Sequence, residues 1–205
     1  ELQVPSGGNS ALVGVGQPVM DGGGATRHLM VDAGRAWDAQ TARERINRFQ
    51  KYEVFWLEEP LAPYDTTGYR MLTEASSIPI AAGEAFTLTE EYEHLLRKGR
   101  IHVVQPDLGR VGGITGGQHI ANLAQETGVW VVPHAFGTGV LLAASTQWAA
   151  ASQKPLTEFT RATSPLARDL AHHDMVFRDG MLHLTDAPGL GVELDEQVAA
   201  AYRVN

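Results

Sequence analysis

The segment "VFWLEEPLAP", residues 54–63, gives the first indication of the fold. A continuous apolar run ends in two adjacent carboxylates, Glu58 and Glu59, and Pro60 closes it because proline cannot donate to a strand ladder. Two neighbouring negative charges repel each other, and removing them from water costs free energy. A buried strand with such an ending indicates a functional site at its carboxyl end, provided that the same arrangement recurs along the chain.

The arrangement does recur, at a nearly constant interval. Apolar runs end at polar positions whose successive spacings are 26, 26, 23, 27 and 24 residues. These positions are Asp32, Glu58, Glu84, Asp107, His134 and Glu158. Each interval suits one strand and one crossover helix, and the runs are continuously apolar, as strands buried on both faces should be. The alternation predicts a parallel α/β fold.

A doubly wound open sheet and a (β/α)8 barrel both fit this alternation. The strand ends favour the barrel, because only a closed barrel brings six strand tips around one mouth. We therefore expect a (β/α)8-type, TIM-like barrel that is incomplete at its N-terminus. Before residue 28 only "ALVGV" resembles a strand, and the residues that follow it are too few for a crossover helix.

The segment "MVFRDGMLHL", residues 175–184, has an Asp-Gly pair between two apolar runs and predicts a β-hairpin outside the barrel repeat. We accordingly expect three parts. Residues 1–27 would be a glycine-rich remnant of a discontinuous or longer chain. Residues 28–174 would form the barrel domain with the metal and catalytic residues, and residues 175–205 a C-terminal hairpin and tail.

Composition excludes several classes of function. The net charge of −8 argues against nonspecific binding of nucleic acid, which needs a basic surface. The chain has no cysteine, which excludes disulfides, thiolate zinc sites and cysteine nucleophiles. No apolar run approaches the ~20 residues of a membrane span, and the start lacks the layout of a signal peptide. We expect a cytoplasmic protein without a membrane partner.

Three consecutive strands end in carboxylates, at Asp32, Glu58 and Glu84. Adjacent strands lie about 4.8 Å apart, so these groups would converge and repel. A hard divalent cation removes that repulsion, and ligation by oxygen alone suits Mg²⁺. Each carboxylate alone could instead cap the next helix or pair with a lysine, but the matched spacing of all three favours a Mg²⁺ site.

The next two strands end in Asp107 and His134. A histidine beside an aspartate can act as a general base, with the aspartate orienting the ring. The alternative is a hydrogen-bonded structural histidine. Opposite a metal site, a general base is favoured over that alternative. Glu158, after the short run "PLTE", could serve as an acid or as a hydrogen-bond partner of the substrate.

Several of these segments resemble a known family. The phrases "LMVDAGRAW", "WLEEPLAPYD", "PIAAGE", "VQPDLGRVGGIT" and "VVPH" are similar to the barrel domain of the enolase superfamily, and specifically to its mandelate racemase subgroup with the acid-sugar dehydratases. The resemblance covers residues 27–192. It implies that Asp32, Glu58 and Glu84 bind Mg²⁺ and that His134 and Asp107 form the catalytic dyad. It also places Arg110 at a basic position near the site and Glu158 at the acidic position of the last strand.

Members of this family abstract the proton next to a substrate carboxylate while the metal stabilises the enediolate. The resemblance therefore implies a Mg²⁺-dependent lyase that dehydrates a sugar acid to a 2-keto-3-deoxy acid, and commonly a homo-oligomer. The chain departs from the family at Gly34, where asparagine is usual, and residues 1–27 contain no lysine to supply the base that often acts from the opposite face.

Two alternatives remain at this point. A racemase or epimerase of a 2-hydroxy acid would use the same fold, but it needs a second base. A non-catalytic barrel, acting as a binding or assembly subunit, is the alternative from another class.

Overall fold

The fold is that of a computed structural model, which describes residues 12–15, 19–20, 25–26, 28–158, 164–173, 175–178 and 181–204. Its centre is a sheet of five parallel strands in sequence order. They are β4 (Leu29–Asp32), β5 (Val54–Glu58), β6 (Ile80–Ala82), β7 (Val103–Val104) and β8 (Trp130–Val131). The predicted α/β fold of the TIM-like barrel type is confirmed, with these strands as consecutive units of the repeat.

Near the N-terminus, β1 (Leu12–Val15) pairs antiparallel with β4 at the edge of this sheet. The predicted strand in "ALVGV" is therefore present, but its direction shows that it is not a further parallel unit of the repeat. Two short strands, β2 (Val19–Met20) and β3 (Ala25–Thr26), form a separate antiparallel pair.

Helices follow each parallel strand. They are α1 (Ala39–Phe49), α2 (Thr66–Ala75), α3 (Thr89–His94), α4 (Gly113–Thr127) and α5 (Gly139–Ala150). A 3-10 turn (Gln50–Tyr52) extends α1, and a π-helical turn (Leu95–Gly99) extends α3. Asp38 and Asp65 start the first two helices by accepting hydrogen bonds from the backbone N–H groups of Thr41 and Gly68.

The prediction of a sixth strand at "PLTE" is wrong. Residues 155–158 are irregular and pair with none of the described strands. The segment is short, and Pro155 has no N–H to give to a ladder. Glu158 nevertheless reaches the neighbouring strand end through its side chain, as described below.

The two faces of the parallel sheet bury different clusters. The outer face packs against α1–α4 in the main apolar core, where Leu57, Ile80 and Val104 are each 0% exposed. The inner face, which lines the interior of the barrel, has a smaller cluster of Trp56, Ala81, Val103 and Val132. Side chains that alternate along each strand supply both faces.

The C-terminal part contains α6 (Pro165–Arg168), β9 (Ala171–His173), β10 (Val176–Arg178), β11 (Met181–His183), β12 (Val192–Leu194) and α7 (Glu196–Ala201). Strands β10 and β11 pair antiparallel, which confirms the predicted hairpin, although its Asp-Gly turn lies outside the described residues. Strand β12 returns to pair antiparallel with β9. Among the described residues, no helix is both long and apolar enough to cross a bilayer. The division into three parts stays a prediction.

Candidate active site at the carboxyl ends of the strands

The strand ends are held side by side by backbone hydrogen bonds that continue past the strands. The N–H of Ala33 donates to the carbonyl of Glu58 at 2.9 Å, and the N–H of Glu59 donates to that of Ala81 at 2.9 Å. At the other side, the N–H of His134 donates to Pro106 at 3.1 Å. These hydrogen bonds therefore fix the backbone that carries the polar side chains at the strand ends.

Asp107 and His134 form a buried pair. Asp107 Oδ2 lies 2.7 Å from Nδ1 of His134, and the two residues are 3% and 7% exposed. The other carboxylate oxygen, Oδ1, accepts a hydrogen bond of 2.7 Å from the N–H of Gly109. Arg110 lies at the rim, half exposed, with Nε 3.8 Å from Asp107 Oδ2. Asp107 is thus fixed from two sides and orients the imidazole, leaving Nε2 toward the interior of the site.

The Nε2 atom of His134 faces two acidic side chains. Glu84 Oε2 lies 3.1 Å from it and Glu158 Oε2 3.8 Å from it. Burial lowers the pKa of His134, but the hydrogen bond to Asp107 and the charges of Glu158 and Glu84 outweigh burial and raise that pKa to about 9. In this state the imidazole is a proton donor toward the carboxylates.

Glu158 joins the site without a strand to position it. Its Oε2 accepts a hydrogen bond of 2.8 Å from the N–H of Ala135, the residue after the histidine. Burial raises the pKa of Glu158, while the positive charge of His134 opposes that rise. Glu158 therefore lies beside His134, although no strand positions it there.

Asp32 and Glu58 end neighbouring strands and are paired in register. Asp32 Oδ1 accepts from the N–H of Gly34 at 2.7 Å, and Glu58 Oε2 accepts from Nε1 of Trp56 at 3.2 Å. Glu84, by contrast, has its Oε2 3.1 Å from Nε2 of His134. Within the part of the chain that the structure describes, no three acidic or histidine side chains are gathered closely enough to hold a metal ion.

The chemistry of these carboxylates nevertheless fits a hard cation. Burial raises the pKa of Glu58 to about 8, a hydrogen bond from Gln105 opposes the rise, and the charges of Asp32, Glu158 and Glu84 add to it. The site therefore crowds buried carboxyl groups with too little positive charge nearby to keep Glu58 ionised, a charge that a bound cation would supply. Mg²⁺ prefers such ligands, so Asp32, Glu58 and Glu84 would hold it.

The sequence did not indicate a partner for Glu59. Glu59 is 2% exposed, and its Oε2 lies 3.1 Å from Nε of Arg35. Arg35 also donates its N–H to the carbonyl of Glu59 at 2.6 Å and extends toward Glu84 Oε1 at 3.8 Å. Both residues have positive φ, 64° and 38°, a conformation that is rare for residues other than glycine and that clusters at functional sites.

Gln105 is a further buried polar residue that the sequence motifs did not identify, although its spacing from Asp107 could have indicated it. It stands two residues before Asp107, so alternation along the strand puts both side chains on the inner face. It is 3% exposed.

Comparisons with known proteins show the family of this chain. A model of proteins described as enolase C-terminal domain-like matches residues 18–198. The L-talarate/galactarate dehydratase of Salmonella typhimurium is 37% identical over 169 residues, which cover 82% of this chain and 40% of that protein. The chain spans between 38% and 50% of the length of the curated relatives that it matches.

Solved structures show the same similarity. The 3,6-anhydro-D-galactonate cycloisomerase from Zobellia galactanivorans superposes with a TM-score of 0.82 at 32% identity, over 85% of this chain and 50% of that one. A variant of L-talarate/galactarate dehydratase liganded with Mg and L-glucarate gives a TM-score of 0.70 at 33% identity, over 84% of this chain and 42% of that one. This chain belongs to the enolase C-terminal domain-like family, within the mandelate racemase subgroup of the enolase superfamily.

Proposed function

We propose that this protein is a Mg²⁺-dependent lyase that dehydrates a sugar acid to a 2-keto-3-deoxy acid. The observation that carries the proposal is the buried pair of Asp107 and His134, whose Nε2 faces Glu84 and Glu158 at the carboxyl ends of the strands. Curated relatives that are named dehydratases of sugar acids support the choice of reaction.

The cation would be held by Asp32, Glu58 and Glu84. When bound, Mg²⁺ supplies electrostatic stabilisation for the negative charge that develops on the substrate carboxylate. The neighbouring structure with Mg and L-glucarate supports a divalent cation and an acid-sugar ligand for this family.

The chain's own residues then move the protons. Dehydration breaks the Cα–H bond and the Cβ–OH bond, forms a carbon–carbon double bond and releases water; the enol product tautomerises to the 2-keto acid. His134 transfers the proton at Nε2, either by taking it from Cα or by giving it to the leaving hydroxyl. Asp107 keeps the ring in place through Nδ1. Glu158 binds or protonates the substrate beside it.

Cycloisomerisation of a sugar-acid derivative is the second candidate, because relatives of that name share the fold and about the same identity. Racemisation or epimerisation of a 2-hydroxy acid stays a further alternative within the family. A homo-oligomeric, cytoplasmic enzyme is part of the proposal, and size-exclusion chromatography of the purified protein tests its assembly.

The test is a panel of aldonic and aldaric acids incubated with the purified protein and Mg²⁺ in D₂O. We expect one or a few acids to yield a 2-keto-3-deoxy product that requires Mg²⁺. Deuterium appearing at Cα of recovered substrate in the wild type but not in His134→Asn would assign His134 as the base. Exchange that persists in His134→Asn without product would assign it as the acid.

Two outcomes contradict the proposal. If no acid reacts and the folded protein binds no Mg²⁺ in a calorimetric titration, the non-catalytic barrel is the better description. Conversion at the wild-type rate by both Glu58→Gln and His134→Asn would show that these residues do not form the active site.

A further inference from the structure

The segments that follow β4 and β5 run side by side beyond the sheet. Alternate N–H groups after β4 donate to successive carbonyls from the end of β5 onward. The pairs are Ala33 with Glu58, Arg35 with Glu59 and Trp37 with Pro60, at 2.9, 2.6 and 3.1 Å. In the middle pair, both residues have positive φ, which costs free energy in residues other than glycine and persists only where the surroundings maintain it. The backbone therefore fixes Arg35 beside Glu59.

The side chain of Arg35 contacts two carboxylates. Its Nε lies 3.1 Å from Oε2 of the buried Glu59, and its Nη2 lies 3.8 Å from Oε1 of Glu84. Because a guanidinium is planar and rigid, the contact with Glu59 also sets the direction of Nη2. Arg35 follows β4 and Glu84 follows β6, so this side chain spans the end of β5. One residue thus connects the three consecutive strand ends that carry Asp32, Glu58 and Glu84.

The carboxylate of Glu84 lies between two basic side chains that come from opposite directions along the sheet. Its Oε2 faces Nε2 of His134, which follows β8, and its Oε1 faces Arg35, which follows β4. The strand order places β6 between β4 and β8. The contact with Arg35 therefore comes from the side on which Asp32 and Glu58 end. Without it, His134 alone among the described residues would form an ion pair with Glu84, from the far side.

A positive charge near a bound cation would ordinarily oppose its binding. The guanidinium of Arg35, however, lies closer to Glu59 than to Glu84, at 3.1 Å against 3.8 Å. Glu59 is not among the predicted ligands, so most of this charge is directed at a carboxylate that does not bind the cation. Carboxylates that bind metals are normally held by such further partners, which fix their orientation. The geometry of Arg35 suits this orienting part.

We propose that Arg35 is a positioning residue that is anchored on Glu59 and holds Glu84 toward Asp32 and Glu58 for binding a divalent cation. This inference rests on the proposed function, since it concerns the same cation site. Arg35 is not a catalytic residue, because it acts through Glu84.

The test is a calorimetric titration of the purified protein with MgCl₂, without substrate. We expect Arg35→Met to weaken Mg²⁺ binding by about 10- to 100-fold, as loss of a partner of a metal ligand typically does. An effect of charge alone has the opposite sign, because loss of a nearby positive charge would strengthen the binding of a cation. The matched control is Arg70→Met, which removes an exposed ion pair with Glu74 on α2 and should bind Mg²⁺ as the wild type does.

The double variant Arg35→Met with Glu59→Gln separates position from charge and from folding. It removes one charge of each sign and leaves no unpaired carboxylate at residue 59, so its midpoint of unfolding in urea should return toward that of the wild type. If charge alone mattered, its Mg²⁺ affinity would return as well. Loss of the position of Glu84 should instead keep that affinity at least about tenfold weaker.

The double variant decides the matter if the single variant does not fold, as checked by circular dichroism. Binding within about twofold of the wild type, or tighter binding, by either folded variant would overturn the inference. A wild type that binds no Mg²⁺ would instead overturn the proposed function, so the two failures are distinguishable.

Discussion

The outer and inner faces of the parallel sheet bury different kinds of residue. The outer face is apolar throughout and packs against α1–α4, as the full burial of Leu57 and Ile80 shows. The inner face is apolar only at the level of Trp56 and Val103, and at the carboxyl ends it buries Asp107 and His134. A well-packed outer face supplies stability, and this allows the inner face to bury charged groups at a cost in free energy.

The largest effect should come from removing the buried histidine of the inner face. We expect His134→Asn to lower the rate of dehydration by about 10²- to 10⁴-fold, because general acid–base catalysis contributes that much. The measurement is product formation from the acid identified in the substrate panel. His119→Asn, on the exposed side of α4, is the control and should keep the wild-type rate. Equal rates for both variants would remove His134 from the mechanism.

The outer face should show the next largest effect, on stability and not on chemistry. Ile80 is 0% exposed in the main core, so Ile80→Ala leaves a cavity and should lower the free energy of unfolding by about 2–5 kcal/mol. Urea denaturation measures it. Ile114→Ala is the matched control because Ile114 is 45% exposed, and its loss should be well under that range. Similar losses from both would mean that the outer face is not the stabilising layer.

A smaller effect should follow from breaking the ion pair between Arg35 and Glu59, just beyond the carboxyl end of β5. Arg35→Met leaves the buried carboxylate of Glu59 without its cation, and Arg35 itself is 42% exposed. We expect a loss of about 1–3 kcal/mol in the free energy of unfolding, less than for a fully buried pair. Arg70→Met removes an exposed pair with Glu74 and should lose under about 1 kcal/mol. If the two variants unfold at the same urea concentration, Arg35 does not stabilise Glu59.

The smallest effect should be a pH dependence of stability at His102, which directly precedes β7. Nδ1 of His102 accepts a hydrogen bond of 3.0 Å from the N–H of Ile80, and partial burial lowers the pKa of His102. A depressed histidine pKa stabilises the folded state above the unfolded value near 6.5, and this contribution is lost as pH falls through the folded value. Thermal unfolding between pH 7 and pH 5 should show a fall in midpoint that is reduced in His102→Ala. An identical pH profile for both proteins would contradict it.

Much of the fold follows from periodicity alone. Five of the six predicted strand ends lie at or just beyond strands of one parallel sheet, because strands buried on both faces carry a strong local pattern of apolar residues. The sixth prediction failed at residues 155–158, where the run was too short for that pattern to be decisive. Glu158 still meets Ala135, and this contact depends on the fold around it and not on a local strand.

The composition of the candidate site and some of its contacts were predictable, but other contacts were not. Register between parallel strands brings Asp32 beside Glu58, and a spacing of 27 residues brings Asp107 beside His134. No local pattern indicates that Arg35 turns back to Glu59, because this requires left-handed backbone at both residues. The contact of Glu84 Oε2 with Nε2 of His134 likewise joins distant parts of the chain.

Local sequence patterns predict which residues stand at the ends of the strands, since the side-chain alternation of a strand and the length of a strand–helix unit are local properties. These patterns therefore also predict the barrel type and the acidic character of the site, which "VFWLEEP" indicates. The partners of those side chains depend on contacts between distant parts of the chain, which local patterns do not reveal. Glu84 lies beside Nε2 of His134, and Glu158 accepts a hydrogen bond from the N–H of Ala135, because separate strands and loops pack together around one centre.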